Sequence, residues 1–145
     1  MKPEIPSRPQ YNLAVSERQA QLVENAMDLY ARLLLGDTGV IEVLASAGYI
    51  RHKQHGRNHD LDAIVRVCDE LRKVTTGHEE GESFGLFNAK VHDSARVAWD
   101  VAKVVRHRLA WDRNPAGGAG ERFDSPCQTS LVEPLCKISK APPQG

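Results

Sequence analysis

The sequence predicts an all-α protein, a small bundle of about four helices with a long extended C-terminal tail. Three observations carry that expectation. Apolar residues recur at three- and four-residue spacing in separate stretches, glycines stand where those stretches stop, and all eight prolines fall before residue 10 or after residue 114. The chain therefore divides into an extended N-terminal arm at 1–15, a helical domain at 16–113, and a Pro/Gly-rich tail at 114–145. The tail carries Phe123, Leu131, Val132, Leu135 and Ile138 as apolar anchors, so it should lie on the bundle or on a neighbouring subunit.

Pro3, Pro6 and Pro9 keep the arm out of a helix. Ser16 with Gln19 forms a capping box, and Val23, Ala26, Met27, Tyr30, Leu33 and Leu34 follow as the apolar stripe of a first helix. Gly36 is its left-handed stop. Asp37 or Thr38 caps a second, short helix through Val40, Ile41, Val43, Leu44 and Ala47, ended by Gly48. Residues 49–60 lose the period and gather Arg51, Lys53 and Arg57 with His52, His55 and His59 into a basic connector. Asp60 caps a third helix whose buried stripe is Leu61, Ile64, Val65, Cys68, Leu71 and Val74. Residues 77–90 are too broken for a helix and, at SFGLF, too apolar for a free linker, so a docked loop is expected.

The fourth and longest helix, Asp93 to Arg113, is the one the others should cover. Ala95, Val97, Ala98, Val101, Ala102, Val104, Val105 and Leu109 fill a wide arc, and Arg96, Asp100, Lys103 and His107 form a polar stripe. Arg108 falls among the valines, and a guanidinium withdrawn from water costs several kcal/mol unless paired. Its partner is Asp112, another chain, or an anionic ligand.

The 145 residues amount to one domain with one core, and the 41% hydrophobic and 26% charged fractions are those of an ordinary globular protein. No stretch is apolar enough to span a membrane, and the first residues lack the hydrophobic middle of a signal peptide, so a cytoplasmic location is expected. Nineteen basic and nineteen acidic residues leave no net charge, which argues against nucleic acid as partner and makes any anion site a local one. Cys68, Cys127 and Cys136 are too few and too far apart for a zinc ribbon or a redox pair, and reduced thiols are the default.

Among candidate sites, Arg106, His107, Arg108, Trp111 and Arg113 are the residue types that grip phosphate through forked N–H donors and stack a base. Phe84 and Tyr49 are further stacking candidates, and Arg51 a further cation. The plainer explanation is that cations favour a helix carboxyl end and that Arg108 pairs with Asp112. The spacing of His52, His55 and His59 suits metal only if helical, and no cysteine or carboxylate completes the set, so no metal and no cofactor are expected. His78 with Glu79 and Glu80 is a solvated loop cluster, and GGAGER at 117–122 lacks the G-K-[ST] of a phosphate loop. No serine-nucleophile motif occurs, and the expectation is a protein that is not an enzyme, with cleavage of a nucleotide through His52, His55 or His107 as the remaining alternative.

The run SFGLFNAKVHDSARVAWDVAKVVRHRLAWDRNP at 83–115, with FDSPCQTSLVEPLCKI at 123–138, resembles small helical proteins of tailed bacteriophages and prophages. That resemblance implies a phage accessory protein acting in the host cytoplasm. Such proteins include inhibitors of host defence, among them sponges that trap nucleotide immune signals without cleaving them. The first functional expectation is accordingly sequestration of a phosphorylated nucleotide, a cyclic nucleotide or ADP-ribose derivative, by a homo-oligomer. The alternative is a protein–protein inhibitor or assembly module acting on a host or phage protein.

Overall fold

The computed structural model describes residues 8–50, 59–77 (side chains from 61 onward) and 83–143. Four helices form in chain order, α1 (Glu17–Leu34), α2 (Val40–Ser46), α3 (His59–Thr76) and α4 (Asp93–Arg113), followed by one 3₁₀ turn at Glu121–Phe123. No strand occurs among the described residues.

The start of α1 is fixed chemically. The Ser16 hydroxyl accepts the Gln19 amide at 3.2 Å, and the Gln19 side chain accepts the Ser16 amide at 2.8 Å, so two otherwise orphaned donors are satisfied. At the other end Gly36 takes φ +83°, and a Cβ placed there would lie 2.2 Å from Thr76 Cγ2 of α3. Glycine is required twice over, for its backbone angle and for the close approach of α3. The corner it makes directs α2 away from α1.

The helices pair as α1 with α4 and α2 with α3. Helices α1 and α4 run antiparallel, since Arg113 bonds Glu17 and Arg106 bonds Glu24 and Asp28. Between them lie Ala20, Val105 and Leu109, with Val23, Val101 and the tail's Ile138 packed against that cluster. Alanines 31, 95, 98 and 102 are buried, and their small side chains let neighbouring backbone come close.

Helix α3 sits differently. Among the described residues it touches neither α1 nor α4. It is held by α2 and by the corner before it, where the Thr38 hydroxyl donates to the Cys68 carbonyl at 2.6 Å and buried Arg72 lies 3.6 Å from Asp37 and 3.7 Å from Asp69. The expected buried stripe of α3 is consequently only half buried. Cys68 is enclosed, but Leu71 is 44% exposed and Val74 83%, because no helix among the described residues lies over that side.

Candidate functional site

The polar stripe of α4 is largely covered by other parts of the chain, with Arg96 and Asp100 buried and Lys103 and His107 half-exposed. Going down the helix, His107 Nδ1 meets the Arg122 carbonyl at 3.1 Å, and Trp111 Nε1 donates to the Phe123 carbonyl at 3.1 Å. One turn or two further back, Asp100 accepts the Thr129 amide and hydroxyl and the Ser130 amide, at 2.6 to 3.0 Å. Nearest the N-terminus, Asp93 accepts the Ser130 hydroxyl at 2.8 Å and the Leu131 amide at 3.1 Å. Residues 122–131 thus run antiparallel along α4, tied to positions spaced seven apart at 107, 100 and 93, which share one helix face. Arg96, on the same face, donates to Asp93 and to the carbonyls of Leu86 and Val91, so the loop before α4 is tied there as well. Arg96 and Asp100 of the polar stripe are buried: period-free segments cover them, and a helical wheel carries no trace of such a cover. Burial alone would raise the Asp93 carboxyl. The bonds from Arg96, Leu131 and Ser130 outweigh it and hold the group below the ordinary carboxylate value.

Arg108 is not enclosed by apolar neighbours. Its side chain is 40% exposed and bonds Asp112 one turn on, through Nε at 3.0 Å and through Nη2. The cause lies in what covers α4. Its flank bearing Arg108 also bears Val97 and Val101, and those valines line an open groove of about 720 Å³ with Met27, Tyr30, Val132 and Pro134. A long side chain on such a flank keeps its stem on apolar surface and its head in water.

Arg106 and Arg113 occupy the other side of α4 and border one cavity of about 850 Å³, closed by Arg122, Phe123 and residues 119–121. Both are partnered across the helix pair, Arg106 Nε with Glu24 at 2.7 Å and Arg113 Nε with Glu17 at 2.7 Å. Burial would lower the Arg106 pKa, but Glu24 and Asp28 raise it further above its ordinary value. Trp111 packs edge-on to Phe123 at 5.5 Å and to His107 at 6.4 Å, behind this cavity. Phe123 was expected only as an apolar anchor of the tail and Arg122 did not stand out in the sequence, because the glycine-rich stretch before them has no period to predict where it folds back.

The remaining candidates are elsewhere. The Phe84 amide donates to the Leu35 carbonyl at 2.8 Å, and the exposed Tyr49 follows α2. The Phe84 contact lies at the C-terminal end of α1, about 27 Å along that helix from the Glu17 end that Arg113 of α4 bonds. Neither Phe84 nor Tyr49 joins the arginine cavity. Arg51, His52 and His55 fall outside the described residues, as do His78, Glu79 and Glu80.

A second surface has the geometry of a docking edge. On α3, Ile64, Val67, Leu71 and Val74 are spaced three, four and three, which aligns them along one side of the helix as in a coiled-coil seam. Val67 is 67% exposed, alongside the exposed Leu71 and Val74. No known family model, no curated protein and no solved structure matches this chain.

Proposed function

We propose that this chain is a protein-interaction module, an inhibitor or assembly element, whose docking surface is the open apolar edge of α3. The observation that carries the reading is an 18-residue amphipathic helix supported, among the described residues, only by seven-residue α2 and a corner, with Val67, Leu71 and Val74 turned to solvent. An isolated helix of that length is marginal in water, and each valine or leucine left exposed forgoes roughly 1.5–3 kcal/mol of burial. A partner helix laid on the seam supplies both. The resemblance to phage helical proteins makes a host or phage protein the natural target.

The test places a photo-crosslinking amino acid at Val67 or Val74 of the full chain, with exposed Arg18 of α1 as control. The expected outcome is a discrete protein adduct in host lysate from positions 67 and 74 and none from position 18. Absence of any adduct at both seam positions removes the reading.

Sequestration of a phosphorylated nucleotide is the second reading, favoured by one feature. Arg106, Arg113 and Arg122 border a cavity of nucleotide size beside Phe123. Its weakness is that Arg106 and Arg113 already satisfy acids of α1. Calorimetry with cyclic dinucleotides and ADP-ribose derivatives decides it. Heat that disappears in Arg122→Ala supports capture, and no heat across that panel dismisses it.

A further inference from the structure

The open groove beside Arg108 lies between α1, α4 and the tail, and the chain folds back to form it. The Ser130 hydroxyl accepts the Val132 and Glu133 amides at 3.2 and 2.9 Å, which turns the tail at the N-terminal end of α4. Residues 132–136 then return beside Met27 and Tyr30 of α1, and Ile138 packs against the cluster of Ala20, Val105 and Leu109. The groove walls are mainly apolar, made by Val97 and Val101 of α4 with Met27, Val132 and Pro134. Its volume of about 720 Å³ falls within the range of small-molecule sites, about 300–1,000 Å³.

The charge of this groove has one sign. Asp93, Asp100 and Glu133 line it, and no lysine or arginine does. Arg96 offsets Asp93 at 2.8 Å. Asp100 is 3% exposed and has no ion-pair partner among the described residues, its donors being the uncharged N–H and O–H groups of Thr129 and Ser130. Its field reaches the groove wall at Cys136: burial pushes that thiol up, and the Asp100 charge adds to the rise. Glu133 is met by Arg8 at 2.6 Å, but the Arg8 side chain is 66% exposed, so a competing cation displaces it at little cost. The arginine on this flank, Arg108, stands seven residues past Val101, about 10 Å along α4, and is engaged by Asp112. We propose that the groove binds an amphipathic organic amine, its apolar body against Val97, Val101 and Met27 and its ammonium on Glu133. Burial of the apolar body drives entry, and the negative end beside low-dielectric walls selects a cation over an anion or a neutral molecule of the same shape.

Three probes with one body and different heads test it: 4-phenylbutylamine, 4-phenylbutanol and 4-phenylbutyrate. Each is titrated into the full chain at about pH 8, where an alkylamine is charged, and followed by the NMR shifts of the Val97 and Val101 methyl groups. The amine is expected to bind about tenfold more tightly than the alcohol, and the carboxylate more weakly than either. Bound amine should also slow alkylation of Cys136 by iodoacetamide, while the exposed Cys127, which does not line the groove, reacts as before. Two variants at the Arg8–Glu133 pair leave helicity unchanged and move affinity in opposite directions. Glu133→Gln brings the amine down to the level of the alcohol, and Arg8→Ala, by freeing Glu133, tightens the amine severalfold. No shift with any probe, an alcohol or carboxylate that binds as tightly as the amine, or an amine unaffected by Glu133→Gln overturns the proposal.

Discussion

The Asp100 carboxylate on α4 receives the Thr129 main-chain N–H at 3.0 Å on each oxygen and the Thr129 hydroxyl at 2.6 Å, a side chain acting as the anchor for an otherwise irregular strand of chain. The Ser130 amide adds a third donor at 2.9 Å. The group is 3% exposed, so water cannot replace these donors if they are lost.

Asp100→Asn is therefore expected to loosen the tail more than its size suggests. The amide nitrogen turns an N–H toward a backbone N–H, leaving one buried donor unmet at about 1–3 kcal/mol. Hydrogen exchange at the Thr129 and Ser130 amides should accelerate while α1 amides stay protected. Uniform acceleration in both would mean that the tail is not separately anchored.

Acid should act on the same attachment through Asp93. Its pKa in the fold is depressed, so its contribution is complete above the unfolded carboxylate value near pH 4 and is lost as pH falls through the lower folded value. Asp93→Asn should flatten the loss of thermal stability below about pH 4 relative to wild type. Parallel pH profiles in the two proteins would show that the bonds to Ser130 and Leu131 are worth nothing.

The α1–α2 corner makes a different demand. Gly36→Ala puts a methyl group 2.2 Å from Thr76 Cγ2 at a backbone angle of +83°. The left-handed angle alone costs about 1–2 kcal/mol, and the clash adds to it by pushing α3 from the corner. Chemical denaturation should show at least that loss, and Thr76→Ser in the same chain should recover part of it. If Thr76→Ser recovers nothing, the contact with α3 is not the cause.

These three sites differ in how far they could be read from the sequence. The Ser16 capping box and the Gly36 stop are local, each decided by residues within a few positions, and the bounds of α1 followed from them, whereas the caps expected from Asp37 or Thr38 and from Asp60 did not form: Gly39 precedes α2 without a side-chain bond, and α3 begins at His59. Asp93 and Asp100 were visible as helix residues but not as anchors, because their partners lie some thirty to forty positions away in a segment with no period. The stripe of α3 was legible as apolar spacing and expected to be buried, which holds for Cys68 but not for Leu71 or Val74, and Val67 was not part of it; spacing tells which residues share a side and is silent on whether anything covers that side. The pairing of Arg108 with Asp112 was legible in their spacing, but its withdrawal from water was not met, for the same reason from the opposite direction: its arc was apolar, but that flank of α4 borders a groove.

The two arginines of the α4 C-terminal half should separate cleanly. Among the described residues Arg108 pairs only with Asp112 on its own helix, with its side chain 40% exposed, and solvent-exposed pairs at this spacing contribute about 0.3–0.5 kcal/mol. Arg106 ties α4 to α1 through Glu24, whose side chain is only 13% exposed, and to Asp28 at 3.5 Å. Removing it strands a mostly buried acid, so Arg106→Ala should cost about 1.5–3 kcal/mol in thermal or denaturant unfolding, with Arg108→Ala close to wild type. Adding Glu24→Gln to Arg106→Ala should recover much of that loss by removing the stranded charge. The comparison also bears on anion capture. A ligand held in the 850 Å³ cavity would feel Arg113 and Arg122, which border it, and be indifferent to Arg108, which does not. Should Arg108→Ala instead abolish binding of a nucleotide while unfolding normally, the site lies in the groove beside Val97 and Val101, and the cavity between α1 and α4 is only the space that their ion pairs hold open.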